Sequence, residues 1–412
     1  MYTGFGNAVV GQSGGPTAAI NATLSGVIRG AKQAIAEGKM GKLYGMRNGV
    51  QGLLEERLID LSAHFNDEAD LVCLEDTPAA ALGSCRKKLP AVGSDDAFYE
   101  KMLAIFKKYD IRYFFYIGGN DSMDTVAKLS AYTADCGYDM CIMGVPKTID
   151  NDLMGTDHTP GFGSAAKYIA VTMQEILRDC AVYTIPAVTV VELMGRDAGW
   201  LTASAALPRA VTGIGPDYVY LPERAFSMEA FLADVRRALD VHPNVVIAVS
   251  EGLRFADGRY VGEGTQSGVA DVFGHKYLAG TGKALEMAIK SEIGCKVRSV
   301  ELNLPQRCAA HLASATDIEE SVRVGKAAVG AALQGTSQHM MTIERVAGDI
   351  YRTEISSKPV ADIANRIRMV PDNMINAEGN QVTDECLAYL LPLIQGERAP
   401  AFDKGLPKHC IL

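Results

Sequence analysis

The chain repeats one order of segments: a short apolar run, a glycine-rich or polar loop, and then a stretch with helical periodicity. The apolar runs are Ala8 to Val10, Tyr113 to Ile117, Met140 to Val145, Ala187 to Leu193 and Asn244 to Ser250. Short apolar runs that alternate with helical segments predict parallel strands joined by crossover helices. The repeat therefore predicts an α/β fold built on doubly wound, mostly parallel sheet.

Length and charge narrow the organisation and the partners. At 412 residues the chain can form two lobes, each with its own core. The net charge of −9, without a long basic block, argues against nucleic acid and anionic membranes as partners. No apolar run reaches the ~18 residues that span a bilayer, and no signal peptide is recognisable. The nine scattered cysteines, with no CxxC pair, predict reduced thiols in a cytoplasmic protein.

The run Gly118 to Ser122, GGNDS, directly follows one of the predicted strands. Its two glycines let the backbone approach a ligand closely, and Asn-Asp-Ser is typical of a helix start. A purely structural alternative is that Asp121 or Ser122 caps the following helix. Capping would use one of these side chains and would leave the others unexplained.

The run Pro146 to Asp152, PKTIDND, follows the next strand. Thr148, Asp150 and Asp152 alternate, so an extended segment would place them on one side. Two carboxylates on one side repel each other unless a cation or a proton lies between them. The alternative is a solvent-facing acidic loop with Lys147 as its counter-ion. Three further loops at strand ends favour a catalytic site instead.

These further loops add glycines, arginine and a carboxylate. They are Gly14-Gly15 after the first strand, Met194 to Arg196, and Glu251-Gly252. A separate turn, Gly83 to Arg86, offers a guanidinium to a phosphate. Loops at the carboxyl ends of parallel strands meet at one edge of a sheet. Backbone N–H groups, carboxylates and cations gathered there suit phosphoryl transfer. Neither a P-loop nor a dinucleotide fingerprint is present.

As a set, these segments resemble the phosphofructokinase family. In that family, loops of the forms GGDxS, PxTIDND, MGR and EG line one cleft, and this chain has GGNDS, PKTIDND, MGR and EG in the same order. Gly14-Gly15, Gly83 to Arg86 and Pro305 to Arg307 extend the match to residues 8–317, and the remainder matches only loosely. The resemblance implies two lobes, each a mostly parallel sheet sandwiched by helices. Residues 1–158 with roughly 308–370 would form the phosphoryl-donor lobe, and about 159–307 with the C-terminal segment the sugar-phosphate lobe.

The resemblance also implies roles for individual residues. Asp150 matches the base that takes the proton of the sugar 1-hydroxyl, with Lys147, Asp121 and Arg196 as further catalytic groups. Arg298 matches an arginine that reaches into a neighbouring subunit's site, which implies a homodimer or homotetramer with shared active sites. The implied sugar-phosphate contacts are Thr148, Ile149, Asp152, Met194, Gly195, Arg196, Glu251, Arg298, Leu304 and Arg307. The implied pyrophosphate contacts are Gly14, Gly15, Arg86, Gly118, Gly119 and Ser122, and the implied Mg²⁺ ligands are Asn120, Asp121 and Asp152.

Two positions separate the branches of the family. ATP-using members usually have glycine at the positions of Asp121 and Lys147, whereas pyrophosphate-using members resemble this chain. An aspartate there would meet the α-phosphate of ATP with like charge, and a lysine beside the base can stabilise pyrophosphate oxygens. Asn120 and Leu304 depart from the usual family residues, aspartate at the first position and His or Tyr at the second. Whether Asn120 ligates the metal directly, and which sugar phosphates are accepted, therefore stay open.

The resemblance implies a Mg²⁺-dependent enzyme of glycolysis with pyrophosphate and fructose 6-phosphate as substrates. It would transfer a phosphoryl group reversibly and form fructose 1,6-bisphosphate. The same reaction with ATP is one alternative. A non-catalytic sugar-phosphate sensor is another, although a sensor does not need the base Asp150. A nicotinamide dehydrogenase would need the glycine fingerprint that this chain lacks.

Overall fold

The computed structural model describes residues 4–263 and 280–412. Residues 1–3, at the start of one predicted lobe range, and residues 264–279, inside the other, lie outside it. Strands and helices alternate along most of the described chain. The strands are β1 (Asn7–Gln12), β2 (Leu43–Met46), β3 (Leu58–Asp60), β4 (Ile111–Gly118), β5 (Cys141–Pro146), β6 (Ala187–Leu193), β7 (Tyr218–Tyr220), β8 (Asn244–Ser250), β9 (Lys296–Glu301), β10 (His339–Arg345), β11 (Thr353–Pro359), β12 (Phe402–Asp403) and β13 (Leu406–Pro407). The α-helices are α1 (Ile20–Ala36), α2 (Gly49–Leu54), α3 (Glu68–Glu75), α4 (Asp96–Lys108), α5 (Asn120–Asp135), α6 (Phe162–Cys180), α7 (Trp200–Ser204), α8 (Leu207–Thr212), α9 (Met228–Val241), α10 (Thr281–Glu292), α11 (Pro305–Cys308), α12 (Ala315–Leu333) and α13 (Asp384–Leu390).

The strands form two main sheets. The larger has seven strands in the order β11-β10-β5-β4-β1-β2-β3, and the smaller has four in the order β7-β8-β6-β9. All pairs in the smaller sheet are parallel. In the larger sheet only the outer pairs, β10–β11 and β2–β3, are antiparallel. The predicted α/β class with mostly parallel sheets is confirmed.

The central strands of each sheet are buried on both faces. Along β4, Phe115 and Ile117 pack in one apolar cluster, and Phe114 and Tyr116 pack in another on the opposite face. The alternation follows from the period of two residues in a strand. The smaller sheet likewise has a separate apolar cluster on each side. Helices supply the partner residues of these clusters, so each sheet lies between helical layers.

The C-terminal region contributes to both cores. β10 and β11 complete one edge of the larger sheet, beside β5. Later residues, from Val370 to Leu393, supply several side chains to one core of the smaller sheet. The lobe boundaries predicted from the sequence stay a prediction. After residue 308 the chain adds strands to the larger sheet and side chains to one core of the smaller sheet.

Strand register places the candidate loops side by side. Gln12 of β1 pairs with Ile117 of β4, and Gly118 of β4 pairs with Pro146 of β5. The loops after these strands therefore leave the larger sheet at nearly the same level. In the smaller sheet, Leu193 pairs with Ser250, so the loops after β6 and β8 are level too.

The helical periodicity from Trp200 to Leu207 predicts one helix, and this local prediction is wrong. The run is divided between α7 and α8, which end and begin on either side of Ala205 and Ala206. Both alanines are fully buried.

None of the helices in residues 4–263 and 280–412 combines the length and hydrophobicity needed to cross a bilayer.

Candidate active site

The glycine turn after β1 meets the separate turn at Gly83 to Arg86. The N–H of Gly14 donates to the carbonyl of Cys85 at 3.1 Å, and the Ser84 hydroxyl donates to the carbonyl of Gly14 at 2.5 Å. Gly14 has φ of +78°, a conformation that favours glycine. The structure therefore brings together two of the segments predicted to hold pyrophosphate.

The last residue of β4, Gly118, has no room for a side chain. A Cβ on Gly118 would overlap the Ser122 hydroxyl, which itself lies 2.5 Å from the Ser13 hydroxyl. Helix α5 begins at Asn120, and its N-cap Gly119 makes no side-chain capping bond. Neither Asp121 nor Ser122 caps the helix in the way the structural alternative required. The GGNDS run thus has no need of these side chains for its helix start.

Asp121 and Asn120 lie at the rim, and each has a partner. The Asp121 carboxylate lies 3.0 Å from Lys88 Nζ, and both side chains are about half exposed. The Asn120 amide is held by backbone instead: its Oδ1 accepts from Asn365 N at 2.6 Å, and its Nδ2 donates to Arg366 O at 2.8 Å. Both polar ends of the Asn120 amide are therefore bonded to backbone, and direct metal ligation by Asn120 stays a prediction.

Lys147 is buried at the centre of the cleft. The residue is 2% exposed, and its ammonium donates to the carbonyl of Gly15 at 2.6 Å. Burial lowers the Lys147 pKa to about 8, while the charges of Asp150 and Asp152 act in the opposite direction. The ammonium therefore lies between the glycine turn and the two carboxylates.

The segment from Thr148 to Asp152 is bent. Thr148 Oγ1 lies 3.2 Å from Asp150 Oδ2 and accepts from Asp150 N at 3.1 Å. Asn151 has φ of +55°, so the extended backbone expected from the alternation is wrong. Ile149, proposed as a substrate contact, has its side chain in an apolar core. We therefore keep only its backbone as a candidate contact.

The two aspartates still influence each other electrostatically. Burial raises the pKa of Asp150, and its Thr148 hydrogen bond and the Lys147 and Arg196 charges partly oppose this. Burial and the charge of Asp150 raise the Asp152 pKa to about 7. A proton or a cation shared near these carboxylates would relieve their repulsion.

The loops of the smaller sheet face the same charges. Gly195 N donates to the Glu251 carboxylate at 3.2 Å, and Gly195 O accepts from the Ser250 hydroxyl at 2.6 Å. Burial raises the Glu251 pKa to about 8, and the charge of Asp150 adds to this while Arg196 opposes it. Asp150 therefore lies within electrostatic reach of both Arg196 and Glu251.

The run Leu304 to Arg307 lies beside the MGR loop and the glycine turn. Gln306 Oε1 accepts from Met194 N at 3.3 Å, and a Cβ on Gly15 would lie 3.6 Å from Arg307 Nη1. Burial and the nearby charge of Arg86 lower the Arg307 pKa. Leu304 is 52% exposed at the start of α11. Arg307 thus joins the cationic side of the cleft.

Arg298 lies apart from these groups. It is in β9 opposite Thr189 of β6, four residues before the carboxyl end of β6 at Leu193. At ~3.3 Å per residue, this is about 13 Å from the edge that carries the MGR loop. Its surroundings include Tyr183 and Lys296, which line the same small cavity.

Two contributors were missed by the sequence interpretation. Asp197 raises the pKa of both Asp150 and Asp152 and pairs with Arg254 at 2.5 Å. Its position directly after Arg196 at a strand end was the available signal. Gln306 is 1% exposed, and its side-chain nitrogen is buried without a hydrogen-bond partner. Its position in the Pro305 to Arg307 run, directly before the implied contact Arg307, was the available signal.

The donor set of the cleft fits Mg²⁺ that arrives with a phosphate. In the described part of the chain no three His, Cys, Asp or Glu side chains converge as a preformed metal site would require. Mg²⁺ is usually held by one or two carboxylates together with waters and substrate phosphates. Asp121 and Asp152 provide such carboxylates, and the raised Asp152 pKa marks a carboxylate that a cation would stabilise.

Comparisons with known proteins agree over nearly the whole chain. A family model described as phosphofructokinase matches residues 7–332. The pyrophosphate–fructose 6-phosphate 1-phosphotransferase of Halomonas elongata is 43% identical over 404 residues, which cover 98% of this chain and 95% of the relative. The crystal structure of a pyrophosphate-dependent phosphofructokinase from Nitrosospira multiformis has a TM-score of 0.88 at 38% identity, covering 98% of this chain and 95% of that one. Its counterpart from Marinobacter aquaeolei has a TM-score of 0.86 at 38% identity, with the same coverage.

Proposed function

The chain belongs to the phosphofructokinase family, and from this premise we propose that it transfers a phosphoryl group from pyrophosphate to the 1-hydroxyl of fructose 6-phosphate. The products are fructose 1,6-bisphosphate and phosphate, and the reaction is the reversible form of this glycolytic step. Relatives named for this reaction are 41% to 43% identical over almost the full chain. The enzyme is thus a phosphotransferase with an alcohol acceptor.

The observation that carries the donor assignment is the position of Lys147. Its buried ammonium bonds the carbonyl of Gly15 at 2.6 Å and lies on the side of Asp150 where the glycine turn would hold the donor. A fixed cation there stabilises charge on pyrophosphate as the bridging bond breaks. Asp121 at the rim would oppose a third phosphate with like charge.

The proposed chemistry uses Asp150 as the base. The sugar 1-hydroxyl oxygen attacks the nearer phosphorus of pyrophosphate, and its proton passes to the Asp150 carboxylate. The bond from that phosphorus to the bridging oxygen breaks, and the electron pair leaves with phosphate. Lys147 and Arg196 hold positive charge beside the transferred group, where it stabilises the equatorial oxygens.

The sugar phosphate and the metal occupy different sides of this centre. Arg307 and Glu251 hold the sugar phosphate, with the MGR loop between them. Asp121 and Asp152 would hold Mg²⁺ together with the donor phosphates, and the ion would supply charge neutralisation there. All nine cysteines are free thiols. This supports the proposal of a cytoplasmic enzyme, because the cytoplasm keeps thiols reduced.

Donor choice provides the direct test. The unmodified protein should phosphorylate fructose 6-phosphate with pyrophosphate and Mg²⁺, and much less with ATP. Asp121→Gly should admit ATP, because the opposing charge and bulk are removed, and should lose much of its pyrophosphate activity. Initial rates with each donor, and identification of fructose 1,6-bisphosphate as product, measure both effects.

Lys88→Ala is the matched control, since it breaks the Asp121–Lys88 ion pair while keeping the aspartate. It should leave ATP excluded. An unmodified protein that prefers ATP would contradict the donor assignment. So would an Asp121→Gly protein that still rejects ATP.

We also propose that active sites are shared between subunits of a homodimer or homotetramer. Arg298 lies too far along its own sheet to serve the loops at its carboxyl edge, which favours a role in a neighbouring site. Mixing inactive Asp150→Ala chains with inactive Arg298→Ala chains should restore activity, because each hybrid dimer contains one intact site. Random exchange would give about a quarter of the unmodified activity in a dimer.

The control for this experiment mixes Asp150→Ala with Asp150→Asn chains, which should restore nothing. Subunit exchange is measured separately with two fluorescent labels. Exchange without any recovered activity in the Asp150→Ala and Arg298→Ala mixture would exclude the shared site.

A further inference from the structure

Residues 365–370, here called the bracing segment, lie in the part of the chain that matched the family only loosely. The segment contacts the GGNDS loop through backbone groups. Its first residue, Asn365, donates its N–H to Asn120 Oδ1 at 2.6 Å, and the carbonyl of Arg366 accepts from Asn120 Nδ2 at 2.8 Å. Both polar ends of the Asn120 amide are thereby bonded to the bracing segment.

Arg368 holds the loop that carries the catalytic aspartates. Its backbone N–H donates to the carbonyl of Asp152 at 2.8 Å, and its Nε donates to the carbonyl of Asn151 at 3.3 Å. Its Nη1 donates to the carbonyls of Thr156, at 3.2 Å, and Asp157. One residue therefore binds four carbonyls of the chain that leads away from Asp150.

Asn151, between the two aspartates, is held in a left-handed conformation. It is fully buried, with φ of +55°. Its amide donates to the Tyr389 hydroxyl at 3.0 Å and accepts from Thr159 N at 3.0 Å. The Tyr389 hydroxyl also accepts from Arg368 Nη2 at 2.8 Å. A non-glycine residue persists in such a conformation only where its surroundings determine it.

The bracing segment also reaches the MGR loop. Trp200, at the start of α7, donates its indole N–H to the carbonyl of Arg368 at 3.0 Å. The Arg368 guanidinium lies 4.5 Å from the centre of the Trp200 ring. The Glu223 carboxylate accepts from Val370 N at 2.9 Å and from Gly199 N at 2.8 Å. The loop that contains Arg196 is therefore tied to the same short segment.

We propose that the bracing segment fixes the GGNDS, TIDND and MGR loops relative to one another, with Arg368 as the positioning residue for Asp150. The inference rests on the proposed function only in naming Asp150 as the base. A reacting group displaced by ~1 Å can lose about 10²-fold in rate, so positioning of this loop has a measurable effect. The C-terminal region thus supplies a part of the active site that touches no substrate.

Arg368→Ala tests the inference, with Arg366→Ala as the matched control. Arg366 is exposed and takes part through its backbone carbonyl, which alanine keeps. We expect kcat of Arg368→Ala to fall about 10²-fold while KM for either substrate changes less than about threefold, since the loss is in alignment. Arg366→Ala should resemble the unmodified enzyme.

A role in alignment also predicts chemical rescue. Added guanidinium ion should raise kcat of Arg368→Ala about tenfold, because it can occupy the vacated position between the carbonyls and Trp200. It should not change kcat of Arg366→Ala. Loss of fold alone would not be reversed by guanidinium, because this ion is itself a denaturant. If both variants have the same kcat, or if guanidinium restores nothing to Arg368→Ala, the positioning role is excluded.

Tyr389→Phe provides a second variant if Arg368→Ala fails to fold. It removes a hydroxyl bonded to Asn151 and Arg368 and keeps the buried ring. It should lower kcat about tenfold with little change in KM. A Tyr389→Phe enzyme with unchanged kcat would overturn the proposal in that case.

Hydrogen–deuterium exchange separates this inference from the proposed reaction. Amides of residues 147–153 should exchange faster in Arg368→Ala and Tyr389→Phe than in Arg366→Ala, and this difference does not depend on which substrate the enzyme uses. Emission from Trp200, the single tryptophan of the chain, should shift in Arg368→Ala as well. If the unmodified protein shows no phosphotransfer activity, the proposed function is refuted, but this comparison of exchange rates remains valid. Equal exchange in all three variants would refute the bracing role.

Discussion

Replacing Asp150 with asparagine should lower kcat by about 10³-fold or more, since a positioned base contributes ~10²–10⁴-fold and its charge also organises the cleft. Asparagine keeps the size of the side chain and can still bond the Thr148 hydroxyl, which lies 3.2 Å away. The free energies of binding both substrates should therefore change little. Steady-state kinetics and calorimetric titration of fructose 6-phosphate measure the two effects separately.

The surface variant Asp139→Asn is the control for this loss, because Asp139 is exposed and precedes β5, at the opposite end of that strand from the loop with Asp150. The acid limb of kcat/KM in the unmodified enzyme should lie above the usual aspartate range, because burial raises the Asp150 pKa. That limb should be absent from the residual activity of Asp150→Asn. Retention of more than about a tenth of kcat would assign the base to another group.

Replacing Lys147 with methionine should lower kcat with pyrophosphate by about 10²–10³-fold, equivalent to ~3–4 kcal/mol, the usual loss for a charge-stabilising group in a dry site. Methionine keeps most of the volume of the buried side chain and removes the ammonium that bonds the carbonyl of Gly15. KM for fructose 6-phosphate should change little. Lys107→Met, on the exposed face of α4, is the control.

The pH dependence gives an independent measurement of the same cation. Lys147 has a pKa of about 8, so its ammonium is present below that value and is lost as the pH rises through it. The kcat/KM for pyrophosphate should therefore decline above about pH 8 in the free enzyme. Bound pyrophosphate favours the charged form, so the decline in kcat should occur at higher pH. A Lys147→Met enzyme with the same alkaline limb would show that another group titrates there.

The strand ends were the most predictable part of the molecule. Ala187 to Leu193 and Asn244 to Ser250 were placed with the observed bounds, since both runs are rich in apolar β-branched residues and each directly follows a proline. The loops after them could be assigned to one edge because parallel strands share a direction. Sequence therefore predicted which loops meet.

The shape of the loops was less predictable. The alternation of Thr148, Asp150 and Asp152 indicates one face only if the backbone is extended, and Asn151 instead turns to positive φ. The Asn151 amide bonds the Tyr389 hydroxyl, 238 positions later in the chain. No local pattern encodes a contact of this kind.

Backbone contacts were the least predictable. The bracing segment acts largely through N–H and carbonyl groups, which every residue carries, so its sequence has no signature. Asn120, which the resemblance implies as a metal ligand, bonds to backbone groups of Asn365 and Arg366, and no sequence pattern indicates these contacts. The lobe boundaries and the individual substrate contacts stay predictions.

The order in which the larger sheet is assembled has a consequence for synthesis. β1 to β5 leave the ribosome early, but their neighbours β10 and β11 lie at residues 339–359. Until those residues emerge, β5 is an open edge strand with unpaired backbone groups, the kind of edge at which nascent chains associate wrongly. The smaller sheet, whose strands lie at residues 187–301, does not depend on later strands. A ribosome that stops before residue 339 therefore releases a chain with one sheet still open beside the loop that carries Asp150.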